Sequence, residues 1–230
     1  MNVKNATEFA VKFGKMLNEV GGNTKEIIAG CLRDPNLMKC IAMGAINNLP
    51  VSEKVARKIM NSDFICSSNQ PIFYSKVELE NARGEYVLVE VPYIDSDRID
   101  IDKFVEGREF DMSFIRNIVF GHPVCRWHLI RKEPLNRSMW KSYLEQDKFL
   151  RSNEKIPSAW ELIYTSVSYY HKNGKQLYGN AVRASDKIDG KPVYVISKSG
   201  GKASICLLEN ENVSSSVGVA PKLLPLYYCV

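Results

Sequence analysis

Two of the chain's three histidines and one cysteine fall within a single short run, His122-Pro-Val-Cys125-Arg-Trp-His128. Imidazole and thiolate are the usual protein ligands of zinc and the usual base and nucleophile of cysteine enzymes. Read as a metal site, the run offers three ligands at i, i+3 and i+6, and Pro123 keeps a regular helix from running through its start. A structural zinc site wants a fourth ligand, which would have to come from His171 or another cysteine. Read as a thiol enzyme, Cys125 would use His128 or His171 as its base, with an Asp or Asn to orient it. The local signatures of cysteine peptidases are absent. The bland reading fits equally well: Val124, Trp127, Leu129 and Ile130 are core-type residues, and a buried cysteine beside two hydrogen-bonded histidines needs no metal. His122, Cys125 and His128 are therefore the candidate metal ligands, no residue is assigned a catalytic role, and no cofactor is expected.

Other runs with chemical potential fall short on spacing. In Asp95-Ser-Asp97-Arg-Ile-Asp100-Ile-Asp102, residues Asp95, Asp97 and Glu106 match positions 1, 3 and 12 of an EF-hand loop. Position 5 is Ile99 and the glycine required at position 6 is Asp100, so the tight turn is missing. An acidic exposed strand edge with Ile99 and Ile101 inward is the simpler reading. Ser199-Gly200-Gly201-Lys202 is rich in glycine, but it joins two strand-like runs and opens no helix whose N-terminus would hold phosphate. It reads as a hairpin turn. Gly218, inside a strand-like run, marks a bulge or a close backbone approach.

The elements that must position these residues change character along the chain. Ala6, Phe9, Ala10, Phe13, Met16, Leu17 and Val20 form a helical stripe, with Asn5 and Glu8 at its start and Gly21-Gly22 at its end. Further helices are predicted from about Asn23 to Leu32, from Leu37 to Ile46, and after a Ser52 cap through Val55, Ala56 and Ile59. Gln70 to Leu79 and Glu85 to Pro92 then read as strands joined by a hairpin-like turn at Asn81–Gly84. The period switches near residues 63–70. Met139, Trp140, Tyr143 and Leu144 are expected on one apolar helix face. Ser158-Ala-Trp-Glu161 is a capping box opening a helix through Leu162, Ile163, Val167 and Tyr170, stopped by Asn173-Gly174. Val193–Ile196, Ala203–Leu207 and Val217–Ala220 are predicted strands, and the apolar tail from Leu223 is expected to be ordered, as an edge strand of the C-terminal sheet or in a subunit contact.

Composition narrows the classes of function. With 230 residues, 45% hydrophobic and 25% charged, the chain is an ordinary globular protein. It contains no apolar stretch long enough to span a membrane and no secretory leader pattern at its start. Its six scattered cysteines suit reduced thiols in a cytoplasmic setting. The net charge of +5 is unevenly spread: Lys and Arg outnumber Asp and Glu in 1–65 and 121–230, and the reverse holds in 66–120. Basic residues are interleaved with acids, so nucleic acid is not the expected main partner. The aromatics crowded between Trp127 and Tyr178 are expected mostly in the core, with some at a contact surface.

Ile156-Pro-Ser-Ala-Trp-Glu161, opening its helix, resembles the L-P-T-x-x-E-W-E segment of C-type-lectin-like domains of the formylglycine-generating-enzyme type. Such domains also occur as the variable proteins of diversity-generating retroelements. Val182–Asp186, Val193–Ser197 and Val217–Ala220 follow in the order of that family's β-rich end. The resemblance spans residues 125–222. The family's G-G-S-W segment is absent and Cys206 has no nearby cysteine, so formylglycine chemistry is not implied. What the resemblance implies is a C-type-lectin-like fold with ligand binding by the final hairpins.

The expectations are thus an α+β protein with a helical unit at 1–64, an antiparallel β section at 68–120 and an α+β domain at 121–230, the last two sharing a core if they pack together. The expected function is non-enzymatic binding or assembly, as a phage or microbial accessory protein that recognises another macromolecule through a protein contact or self-association, away from membranes. Its rivals are a metal- or thiol-dependent enzyme centred on His122, Cys125 and His128, and a nucleic-acid binder using the basic C-terminal half.

Overall fold

The computed structural model describes residues 50–66, 72–92, 103–106, 126–208 and 216–225. Chain contacts separate Met1–Leu49 from Pro50–Val230, and all the described residues belong to the second unit. The helices expected between residues 5 and 46, the acidic run 95–102, His122 and Cys125 lie outside the described residues. The fold class is α+β. The division of the chain falls earlier than the change of period near 63–70: helix α1, Glu53–Met60, belongs to the same unit as the strands C-terminal to it, and Ser52 stands at its N-cap position without a side-chain capping bond.

The strands β1 (Phe64–Ile65), β2 (Tyr86–Val91), β3 (Arg126–Arg131), β4 (Glu154–Lys155) and β9 (Lys222–Leu223) form one sheet, in the order β1-β2-β3-β9-β4. The strands β5 (Ala181–Ile188), β6 (Lys191–Lys198), β7 (Lys202–Leu207) and β8 (Val217–Gly218) form a second, in the order β7-β6-β5-β8. Two pairs are parallel, β1 with β2 and β5 with β8, and the others antiparallel. β2 pairs along its whole length with β3, from Tyr86 opposite Arg131 to Val91 opposite Arg126. The sections expected at 68–120 and 121–230 therefore share a sheet.

One strand expectation is corrected. Residues 76–82 form helix α2, Lys76–Ala82, so Asn81–Gly84 is a helix exit and no hairpin. Ile72, Phe73 and Tyr74 are strong strand formers, but Ser75 and Glu78 cap each other reciprocally: the Glu78 N–H donates to Ser75 Oγ at 3.2 Å and the Ser75 N–H to the Glu78 carboxylate at 2.7 Å. This satisfies two amide donors that a strand would have had to pair elsewhere.

β2 is apolar on both faces because both are covered. Tyr86 and Leu88, with Trp127 and Leu129 of β3, pack under Ala56 and Met60 of α1 and Leu79 and Ala82 of α2. Val87, Val89 and Val91, with Ile130, face the opposite way, toward helix α4, Ala159–Asn173. That helix lies between the two sheets. Ala159, Trp160, Leu162, Ile163 and Val167 are buried with Val182, Val193, Val195 and Ile205 of the second sheet. A helix covered on two sides is buried around most of its circumference, and α4 is so from Ala159 to Val167, Tyr164 excepted; the polar residues among these, Glu161, Thr165 and Ser166, are hydrogen-bonded within the fold. It begins and ends as its sequence predicts, with the Ser158–Glu161 box and with Gly174 at φ +66°, whose N–H bonds Tyr170 O at 2.7 Å.

The expected hairpin of β6 and β7 is present, its turn carried by Gly200 and Gly201 at positive φ. β9 lies between β3 and β4, so it is an interior strand of the first sheet and not an edge of the second. Residues 226–230 of the tail lie outside the described residues. The Tyr74 hydroxyl bridges β3 and β9, accepting from the Leu129 N–H at 3.2 Å and donating to Leu223 O at 2.7 Å. Tyr74→Phe is expected to lower unfolding free energy by about 1–3 kcal/mol, because the buried Leu129 N–H and the partly buried Leu223 carbonyl both lose this partner. Denaturant titration measures the loss, and hydrogen exchange at Leu129 should quicken with it.

Candidate functional site

Of the three sequence-predicted ligands, the described residues include His128, on the face of β3 that meets α4. Its Nε2 lies 3.1 Å from Oε1 of Glu161, the third residue of α4. Lys222 of β9 donates to both carboxylate oxygens, at 2.6 and 2.7 Å, and the Ser158 N–H donates to Oε2 at 2.7 Å. Glu161 is thus held by two strands and its own helix N-terminus. Burial works to raise its carboxyl, but the charges of His128 and Lys222, with the bonds from Lys222 and Ser158, hold it below its ordinary value.

This cluster is a clamp. Each Glu161 oxygen receives two donors or cations, which leaves little lone-pair capacity for a metal or substrate. His171 sits ten residues further along α4, about 15 Å at 1.5 Å per residue, and cannot complete a ligand set with His128. Among the described residues no group of three or more His, Cys, Asp or Glu side chains is placed to hold a metal ion. Cys66 approaches the buried Glu90 carboxylate at 3.7 Å on the opposite face of the first sheet.

A different feature stands out at the surface. Trp140 and Leu144, expected on an apolar helix face, are 68% and 67% exposed. The helix here, α3, is a single turn, Tyr143–Gln146, because Ser142 caps it: Ser142 Oγ accepts from the Glu145 N–H, and the Glu145 carboxylate accepts from the Ser142 N–H at 2.9 Å. Trp140 lies before the cap, at φ +62°. A tryptophan held at positive φ is conformationally strained and persists only when its surroundings impose the conformation.

Those surroundings are well built. Buried Ser138 donates to Leu135 O at 2.6 Å and accepts the Val219 N–H at 2.9 Å. Buried Gln146 donates to Ser138 O at 3.1 Å and to Val217 O at 3.0 Å. The Leu135 N–H donates to Val219 O at 2.8 Å. Residues 135–146 therefore form a ledge that pairs the outer edge of β8. On β5, the Arg183 guanidinium, only 3% exposed, stacks 3.2 Å from the Tyr143 ring centroid. It also donates to Tyr143 O at 2.7 Å and pairs with Asp147 at 3.2 Å. Gly218 is the close approach its position predicted: a Cβ there would collide with Met139 Sδ and lie 2.7 Å from Pro134 Cβ.

The geometry thus separates a buried ionic clamp from an exposed aromatic at positive φ. No known protein family, curated protein or solved structure matches the chain. The helical spacing puts Trp140 and Leu144 on one apolar face with Met139 and Tyr143, in a region whose aromatics are expected mostly in the core and in part at a contact surface. The signals that mattered were Ser142 and Glu145, a capping box that starts the helix after Trp140.

Two outcomes test this description. Glu161→Gln leaves Lys222 and His128 facing a neutral amide, and is expected to cost about 3–5 kcal/mol at neutral pH. Because the folded carboxyl titrates below its ordinary value of 4.5, its contribution is complete above that pH and is lost as the pH falls through the lower folded value. The gap between native and variant stability should therefore close under acid conditions, as read by denaturation at a series of pH values. Gly218→Ala should destabilise the chain by about 1–3 kcal/mol, through overpacking against the Pro134 ring. It should also shift the emission of Trp140, the one exposed tryptophan, in acrylamide quenching.

Proposed function

We propose that the chain is a non-enzymatic binding protein that recognises another protein through the ledge of residues 135–146, with Trp140 and Leu144 as anchors. The observation that carries this reading is the strained, solvent-facing Trp140 beside Ser138 and Gln146, whose buried polar groups are hydrogen-bonded to the segment 217–219. Interfaces draw most of their energy from a few large anchors, tryptophan above all. An anchor held in place beforehand loses little conformational entropy on binding. A strained conformation that adds nothing to the core costs stability, and recognition is a use that would retain it.

The rival enzyme reading has against it the commitment of His128 to Glu161, which removes one of its three residues from metal or thiol chemistry. The resemblance of residues 125–222 to C-type-lectin-like domains supports binding over catalysis, though it would place the ligand in the final hairpins and not on the ledge. No described helix is long and apolar enough to cross a membrane. Within this reading the chain acts in the cytoplasm as an accessory protein of a phage or microbe.

The test is a photo-reactive residue at position 144 of the full chain, expressed in its native cells. One or a few discrete protein adducts, lost on Trp140→Gly, are expected by mass spectrometry. Adducts with nucleic acid alone, or no adduct, would overturn the reading.

A further inference from the structure

The charges around the ledge are unequally committed. Three carboxylates there, Glu145, Asp147 and Glu154, are occupied within the fold, while exposed Glu133 is not among the described residues. Glu145 accepts from the Ser142 N–H and hydroxyl, and these bonds hold its carboxyl below the ordinary value. Asp147 pairs with Arg183, and Glu154 accepts from the Tyr86 hydroxyl at 3.1 Å and the Arg151 N–H at 2.8 Å. The cations are held more loosely: Lys141 and Lys148 feel the Glu145 charge, but neither they nor Arg151 and Lys155 make a side-chain hydrogen bond or a close ion pair among the described residues. Lys141 adjoins Trp140, and Lys148 follows Leu144 by four residues, one turn along the short helical run formed by α3 and Asp147–Phe149. Lys187 adds a further positive charge, 4.5 Å from the Tyr143 ring centroid.

From this, and resting on the reading of the ledge as a protein contact, we infer that its partner is an acidic amphipathic segment of another protein. The segment sets apolar side chains on Trp140 and Leu144 and carboxylates against Lys141 and Lys148. Complementary charge around an apolar anchor steers encounter and sets register. Single-stranded nucleic acid would also meet the cations, but it is bound by successive exposed rings on which bases stack. Here the Tyr143 ring carries the Arg183 guanidinium and the Lys187 ammonium, the Phe149 ring carries the Arg137 guanidinium, Leu144 has no π face, and Trp140 is left as a single open ring.

The experiment is fluorescence anisotropy of the full chain with a labelled helical peptide of glutamate and leucine, the leucines on one face. The comparison probes are a scramble of the same composition, a lysine–leucine counterpart and an oligo(dT). The glutamate–leucine helix should bind most tightly, and its affinity should fall with added salt. Trp140→Gly, and separately Lys141→Glu with Lys148→Glu, should each weaken it by at least about tenfold. Glycine accepts positive φ without strain, so the Trp140→Gly chain should melt no lower than the native one and its lost affinity cannot be put down to unfolding. Equal affinity for the scramble, tighter binding of oligo(dT) or no saturable binding would each overturn the inference. So would a dimer in sedimentation equilibrium that Trp140→Gly dissolves, since the occupant would then be a second copy. Loss of binding with Trp140→Gly but not with charge reversal would overturn the acidic partner alone and leave the protein-contact reading standing.

Discussion

Everything described in this unit is organised by one carboxylate placed where charge is expensive. Glu161 is buried between a helix N-terminus and a sheet, and removing an ion from water costs several kcal/mol before its partners are counted. The cost is offset because the partners converge from three directions: His128 from β3, Lys222 from β9 and the Ser158 N–H from the cap. The positive end of the helix dipole adds to them. The same contacts that satisfy the charge fix α4 against the first sheet and hold β9 in its register between β3 and β4.

With α4 positioned, the second sheet is placed as well. Its strands cover the far side of the helix, and the bulge in β5 between Arg183 and Lys187 accompanies two contacts made in opposite directions. Asp186 accepts the Ala159 N–H at 2.6 Å, a second tie to the helix start, while Arg183 reaches outward to hold Tyr143. Residues 217–223 then pass from the second sheet to the first, pairing with β5 at Val217–Gly218 and with β3 and β4 at Lys222–Leu223. A short stretch of chain therefore connects the clamp at Lys222 to the ledge that rests on Gly218.

The parts of this arrangement legible in the sequence are those determined by near neighbours. The Ser158–Glu161 box, the stop at Gly174 and the β6–β7 turn all depend on residues a few positions apart, and all appear as expected. Two other local signals are masked by their surroundings. Ser75 with Glu78 and Ser142 with Glu145 are capping boxes too, hidden beside strand formers in one case and inside a helical stripe in the other. Asp189-Gly190, both at positive φ, is likewise a hairpin signal that joins β5 to β6.

The sequence by itself determined the α+β class, the long helix with both its ends and the C-terminal strands, because capping, turn chemistry and apolar period act over a few residues; at Gly218 it left a bulge or a close approach open, and the contacts with Met139 and Pro134 decided for the latter. It could not determine which apolar residues stay outside or which histidine carries a charge partner. Trp140 and Tyr143 occupy equivalent places in a helical stripe, yet one is exposed and the other is held by Arg183 from forty residues away. His128 has the look of a ligand beside its neighbours in the chain, but its partner is Glu161, thirty-three residues on, brought there by the packing of α4 on β3. Burial and ion pairing are decided by long-range contacts that have no signature in local spacing, and here only the tertiary structure settled them.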